Sequence, residues 1–392
     1  MEGLRKCLLW LLFPLTVVIR AVWCSTMIII FVVSYFGYMT PMLLFRRIWP
    51  RFYWGVEGKM YRWLMACVGY WGYTAGYDVI EYGDDTSECE HSRALVICNH
   101  ISTADVPTLM AALQSKGPAC RKTLWVMWKG FRWTPFGVIG QVHGDFFIGE
   151  NKKDGREREI ERFKKHLNDV FWERDRRWVM IFPEGGFLKN RIESSRRYAL
   201  KHGFPHLTHT TLPRIGAVQA SLETVGPRSD ETEGVDGVKR PTNLQLLKDT
   251  FEAFRQKKYV KETRPPIKYV LDVTIGYPDN NPIGLQNLCL GTRKVCDICL
   301  YYKVHKVETV PFDDETKLRN WLFEQFYEKE KLLDNYYKTG EFSPGEVGRR
   351  LHFPLTKILI QYLFWFGSFY VQCRCIWYLL TLLLHPLTLI FG

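Results

Sequence analysis

The sharpest chemical signal in the chain is Asn99-His100-Ile101-Ser102-Thr103-Ala104-Asp105. A histidine and an aspartate stand with four residues between them, where a short apolar run, Ala94 to Cys98, gives way to a helical pattern, Val106 to Leu113. At such a strand-to-helix turn the carboxylate can approach one ring nitrogen, fix the tautomer and favour the imidazolium. The other nitrogen is then free to take a proton from a substrate hydroxyl. No protein nucleophile is required, because the alcohol itself attacks. The plainer reading of the same residues is a helix cap and a satisfied polar pair, and the spacing alone favours it, since such spacings occur by chance.

A second segment narrows the choice. Phe182-Pro183-Glu184-Gly185-Gly186 follows the apolar run Trp178 to Ile181. Adjacent glycines let a backbone approach a ligand closely and present its N–H groups, and a proline stiffens the entry. Taken alone, this too is an ordinary strand exit carrying an exposed glutamate.

Two further blocks complete the pattern: Gly144-Asp145-Phe146-Phe147-Ile148 and Leu212-Pro213-Arg214. In this order the four blocks resemble the glycerolipid acyltransferase family, which includes 1-acylglycerol-3-phosphate acyltransferases. The likeness covers roughly residues 51–340, with Tyr70-Trp71-Gly72-Tyr73-Thr74-Ala75-Gly76-Tyr77 similar as well. The resemblance implies that His100 is the general base and Asp105 its orienting partner. It implies that acyl-CoA is a co-substrate rather than a bound cofactor, with CoA thiolate as leaving group. It also implies substrate contacts at Asn99, Gly144, Phe147, Glu184, Gly185, Gly186, Pro213 and Arg214. Two positions depart from the family pattern. Glu150 stands where many members have an arginine, and Gly186-Phe187 where many have Thr-Arg. A guanidinium suits the two oxygens of a phosphate monoester dianion, so its absence favours a phosphodiester acceptor. Lysophosphatidylglycerol or lysophosphatidylethanolamine is the expected acceptor, and Lys152, Lys153, Lys189 and Arg191 are the nearby cations that could compensate. A lysophosphatidic acid acyltransferase and a catalytically silent lipid-binding scaffold are the competing readings.

These residues need elements to hold them. Ala94–Cys98, Leu124–Trp128, Phe146–Ile148, Trp178–Phe182 and Tyr269–Ile275 read as strands, and Cys299–His305 as a strand near the sheet edge. Asp154–Trp172, with Ile160, Phe163, Leu167 and Phe171 spaced three, four and four apart, reads as an amphipathic helix. Leu318–Tyr337 reads likewise. Glu81–Arg93 is polar and acidic and is expected to be a loop. Alternation of strands and helices predicts an α/β fold: one acyltransferase domain, residues 51–345, with a mixed sheet flanked by helices. The His100 and Glu184 turns are expected to face each other at one end of it. Residues 60–80 are expected to form an interfacial helix, or one packed beside the domain, and residues 226–242 a flexible insertion.

Both termini are apolar. Ala21–Phe45 holds no charged residue over 25 positions, enough to cross a bilayer. Residues 1–50 are therefore expected to be an N-terminal membrane anchor, and residues 354–392 a C-terminal membrane segment. Together with the resemblance, the anchor implies the endoplasmic reticulum membrane. The composition agrees: 14 Trp among 15% aromatics suits a membrane interface. A net charge of +12 calls for an anionic partner, which CoA phosphates and anionic lipid supply. Nucleic-acid binding is not expected, because no recognition motif accompanies the charge. A transporter is disfavoured by a polar centre without repeated spans. Cys296-x-x-Cys299, with Cys289 and His305 near, lacks a second pair and is read as structural, with no metal site. His143 is read as a satisfied buried histidine.

Overall fold

The computed structural model describes residues 2–149, 155–227 and 265–391, with side chains defined over 13–149, 155–227 and 265–382. The expected insertion therefore lies mostly outside the described residues, as do Glu150, Lys152 and Lys153.

In chain order the elements are α1 (Glu2–Met39), α2 (Leu43–Ile48), α3 (Pro50–Thr74), β1 (Asp78–Gly83), α4 (Ser87–His91), β2 (Ala94–Cys98), α5 (Asp105–Leu113) and β3 (Thr123–Trp128). They continue with α6 (Pro135–His143), β4 (Phe146–Ile148), α7 (Arg156–His166), β5 (Trp178–Ile181), α8 (Leu188–His202), α9 (Gly216–Val225) and β6 (Tyr269–Gly276). The chain closes with α10 (Leu285–Leu290), β7 (Asp297–Lys306), α11 (Glu315–Thr339), β8 (Arg349–Arg350) and α12 (Leu355–Phe391).

The eight strands form one mixed sheet in the order β4-β3-β5-β2-β6-β7-β1-β8. From β4 to β6 neighbours run parallel, while β7 is antiparallel to β6 and β8 to β1. The alternation of side chains along β2 sorts the two cores. Ala94, Val96 and Cys98 join the core built with α1, α3 and α5, whereas Leu95 and Ile97 join the one built with α7, α9 and α11. A strand covered on both faces must be apolar at every position, which is why its sequence shows no polar alternation.

Two expectations are corrected here, and an open choice between two readings is resolved. Glu81–Arg93 is not a loop, since β1 runs to Gly83 and α4 follows. Glu81 looked like a solvent-facing acid but is buried, paired with Lys116 Nζ at 2.8 Å and with Arg349, and it accepts from Tyr302 Oη. Of the two readings of 60–80, the helix packed beside the domain is the one found: it is part of α3, which starts at Pro50, ends at Thr74 and is largely buried. Gly69 lets it press on α5, because a Cβ there would lie 2.9 Å from Ala111 Cα. Finally, β7 is inside the sheet, between β6 and β1, not near its edge.

Phe13–Met39 of α1 is long and apolar enough to cross a membrane. One stripe of α1 (Cys24, Met27, Phe31, Tyr35) is buried against the domain, and Val18, Val22 and Ile29 are exposed. The C-terminal apolar segment is one continuous helix, α12, which packs along α1 through Trp23–Tyr362 and Phe31–Trp365 ring contacts. Arg20 does not face lipid. Its guanidinium donates to Trp71 O (2.6 Å), Thr74 O (3.1 Å) and Cys289 O (2.8 Å), carbonyls at the C-terminal ends of α3 and α10. Such carbonyls lack helical partners and carry the negative end of the helix dipole.

Candidate active site

Parallel strands put their carboxyl ends on one edge of the sheet, and the crevice outside those ends is where α/β folds place ligands. β2 ends at Asn99-His100 and β5 at Phe182-Pro183-Glu184, with the two strands directly paired. The two expected turns therefore meet. His100 N donates to Glu184 Oε1 (2.7 Å), and Leu188 N donates to His100 O (2.7 Å).

His100 Nδ1 lies 2.9 Å from Asp105 Oδ2. The aspartate opens α5, and the same Oδ2 accepts from Ile101 N (2.7 Å) and Ser102 N (2.9 Å). Its Oδ1 accepts from Tyr277 Oη at 2.6 Å. Asp105 thus closes the turn that leads into α5 and holds the imidazole, the arrangement a general base needs; the helix cap itself is Ala104, without a side-chain cap bond. With Nδ1 committed to Asp105, Nε2 is the nitrogen left to meet a substrate hydroxyl. The imidazole is stacked on Phe182 (4.0 Å between ring centres) and tilted against Phe187 (4.2 Å). Asp105 is fully buried and the His100 side chain is 13% exposed, so only the histidine has access to substrate.

The Asn99 and Glu184 side chains, expected at the substrate, are buried and bonded to protein groups. The Asn99 side chain accepts from Ile275 N (2.8 Å) and donates to Ile275 O (3.0 Å), pinning the end of β2 to β6. Glu184 is buried, and its Oε2 accepts from Thr211 N (2.9 Å) and Thr211 Oγ1 (2.6 Å). Its two oxygens therefore tie the His100 turn to the loop before Leu212-Pro213-Arg214. That loop is held from behind by Glu330 of α11, which accepts from the backbone N–H groups of Thr208, His209 and Thr210.

Arg214 and the two glycines do come together. Arg214 N donates to Pro183 O (2.8 Å), and the Arg214 side chain passes 3.4 Å from where a Gly185 Cβ would stand. Gly185 has φ +71°, which disfavours a side chain there. Arg191 of α8 passes equally close to Gly186, at 3.3 Å. Pro213 is buried beneath this rim.

Gly144 and Phe147 are not brought to the site, which corrects both. Gly144 ends α6 in a left-handed conformation (φ 99°) before β4 begins, at the opposite edge of the sheet. Phe147 is buried on β4, paired with Met127. Three strand spacings separate β4 from β2, about 14 Å. This block is structural. His143 Nδ1 meets Glu57 Oε1 (2.8 Å), its Nε2 meets Thr123 O (2.9 Å), and Tyr61 stacks on its ring. Asp145 accepts from Trp125 N (2.9 Å).

Two residues of the site had no sequence signal of their own. Tyr277 sits just past β6, and its only clue is that β6 ends on the same edge as β2. Phe187 stood in the sequence as the missing arginine, not as a wall for the imidazole. Tyr277→Phe is expected to leave Asp105 Oδ1 short of a buried donor, costing about 1–3 kcal/mol of stability. A small loss of kcat should accompany it, and an unchanged melting temperature and rate would remove Tyr277 from the site.

Burial raises the Glu184 carboxyl to about 7 against the pull of Thr211 and the His100 N–H. Burial likewise raises Asp145 to about 7. Glu57 goes the other way: burial alone would raise it, but His143 and Arg176 hold it at about 2. Unfolded carboxyls titrate near 4. Between roughly pH 4 and 7 the folded chain therefore binds more protons through Glu184 and Asp145, which lowers stability as pH rises; His143, held by burial at about 4, opposes only part of this, so the two carboxyls set the net fall. Glu57 stabilises throughout the window, its contribution being lost only as the pH falls towards 2. The melting temperature is expected to be higher at pH 5 than at pH 8, with the difference reduced in Asp145→Asn. A melting temperature that rises over this range would contradict the assignment.

An α/β sheet carrying a histidine–aspartate pair at the ends of its parallel strands defines a class, and comparison with known proteins agrees with it. The acyltransferase family model matches residues 80–218 and the acyltransferase C-terminus model residues 289–365. The chain is 34% identical over 345 residues to the mouse acyl-CoA:lysophosphatidylglycerol acyltransferase 1, covering 88% of each chain. Against the human protein of the same name it is 35% identical over 313 residues, 80% of this chain and 79% of that one. A Caenorhabditis elegans protein provisionally named 1-acyl-sn-glycerol-3-phosphate acyltransferase is 29% identical over 318 residues, 80% of this chain and 73% of that one. This chain belongs to the glycerolipid acyltransferase family and is an acyltransferase.

Proposed function

We propose that the protein transfers a fatty acyl chain from acyl-CoA to the free hydroxyl of a lysophospholipid with a phosphodiester head group. Lysophosphatidylglycerol is the favoured acceptor and lysophosphatidylethanolamine the next. The observation that carries the mechanism is the imidazole held by Asp105 with Nε2 left over. Nε2 takes the proton as the acceptor oxygen attacks the thioester carbonyl. The tetrahedral intermediate expels CoA as thiolate, which recovers the proton from the imidazolium. An ester forms, a thioester breaks, and the histidine ends as it began.

The acceptor class is supported by Phe187. The position where many relatives carry an arginine here holds a ring packed on His100. Arg191 and Arg214 lie beside the glycines, where they could meet the single negative charge of such a phosphodiester. Acyl-CoA acts as co-substrate, with no resident cofactor. Residues 1–50 anchor the domain through α1, α12 adds a second membrane segment, and the endoplasmic reticulum is the compartment.

The test is acyl transfer by protein in nanodiscs, with labelled acyl-CoA and a panel of lysophospholipids. Product from the phosphodiester acceptors is expected. Product from lysophosphatidic acid alone would overturn the acceptor reading and keep the chemistry. Binding of acyl-CoA without any product would indicate a silent lipid-binding protein.

A further inference from the structure

The exposed tryptophans are not scattered. Among the described residues, Trp23 and Trp377 lie on α1 and α12, and Trp49 directly follows α2. The remaining two, Trp128 (61% exposed) and Trp133 (82% exposed), bracket the short turn Lys129–Trp133 on the catalytic domain itself. Phe131, Lys129, Arg132 and Pro135 are exposed with them. The turn is held firmly. Thr134 Oγ1 caps α6 by accepting from Gly137 N (3.1 Å), and Gln141 Nε2 donates to Arg132 O (3.0 Å). The fold therefore presents these rings to the outside rather than leaving them on a loose end.

Their position is set by the sheet. Trp128 is the carboxyl end of β3, which pairs in parallel with β5, which pairs with β2. The turn thus stands on the same edge as His100, two strand spacings away, about 10 Å. The same edge is where α1 leaves the domain. Arg20 is bonded to the ends of α3 and α10, beside the start of β1 and beyond the end of β6. N-terminal to Arg20, the helix continues with exposed Phe13, Leu15, Val18 and Ile19. The catalytic turns lie between this flank and the Trp128 flank.

We propose that Trp128–Trp133 is a second bilayer contact of the domain, which seats the mouth of the active site on an anionic phospholipid surface. The proposal goes beyond the acyl-transfer reading and rests on its membrane setting. Indole rings favour the head-group region, and each Lys or Arg near an anionic surface adds attraction. Rings this open suit a plane of head groups. A bound nucleotide would be held between walls instead.

The test uses the full-length protein and Trp128→Ala/Trp133→Ala. Both side chains are exposed, so the melting temperature should not move. With the lysolipid presented in nanodiscs containing anionic lipid, the double variant is expected to lose about tenfold in kcat/KM. With a short-chain acceptor dissolved as monomers, it should match the wild type, and its KM for acyl-CoA should be unchanged. In nanodiscs with brominated lipid, the wild type should show more tryptophan quenching than the variant. A raised KM for acyl-CoA with equal losses on both acceptors would assign the turn to the CoA site and overturn the proposal. Equal rates and equal quenching would also overturn it. If the wild type acylates nothing, the proposed function falls, and the quenching comparison still decides this proposal.

Discussion

Replacing His100 by alanine should lower kcat/KM for acyl transfer by about 10²–10⁴-fold, the usual worth of a positioned base. Folding should survive. The imidazole makes one hydrogen bond, to Asp105, and its ring contacts are with Phe182 and Phe187, which remain packed on the turn. The backbone bonds that hold the turn, His100 N to Glu184 and Leu188 N to His100 O, do not depend on the side chain. Acyl-CoA binding should persist, because the histidine is asked to move a proton, not to grip the nucleotide. The decisive measurement is turnover in a variant whose melting temperature and acyl-CoA affinity match the wild type. Substantial activity there would sink the general-base mechanism.

Much of this site was legible because its parts are local. Ala94–Cys98 and Trp178–Ile181 are buried on both faces, so their sequences are unbroken apolar runs, and each ends in a turn whose residue types are unusual. That His100 and Asp105 share a turn follows from a spacing of five along the chain. That the His100 and Glu184 turns meet follows from β2 and β5 being parallel neighbours, which a parallel sheet makes natural but no local pattern demands.

The unread parts depend on tertiary pairing. Glu81 carried the signature of a loop, yet its charge is neutralised inside by Lys116 and Arg349, the former some 35 positions away in the chain. The aromatic and glycine-rich stretch of α3 looked interfacial because Tyr and Trp suit a membrane surface. They suit a close-packed helix equally well when Gly69 and Gly72 bring neighbouring elements in. Gly144 and Phe147 belong to a block that marks the family without touching the site, so membership in a motif did not locate them. Glu184 and Asn99 show the converse. Their sequence neighbours line the crevice, while their own side chains turn inward and hold Thr211 and Ile275.

Asp105→Asn tests how the turn divides its labour. The asparagine can keep its oxygen at the Oδ2 position, accepting from Ile101 N, Ser102 N and His100 Nδ1, and turn its amide towards Tyr277 Oη. A tyrosine hydroxyl can accept as well as donate, so the bonds of the turn are kept and only the Tyr277 proton must find another acceptor, and the fold should lose little stability. What disappears is the negative charge beside an imidazole that must become imidazolium as the acceptor hydroxyl loses its proton. In this buried setting the loss should reduce kcat by about 10²-fold or more, with little change in KM for acyl-CoA. Asp105→Ala should be worse in a different way. It strands three donors of the turn and the Tyr277 hydroxyl, so the melting temperature should fall along with the rate. If Asp105→Asn were as active as the wild type, Asp105 would serve only to hold the turn, and the imidazole would need no counter-charge to accept its proton.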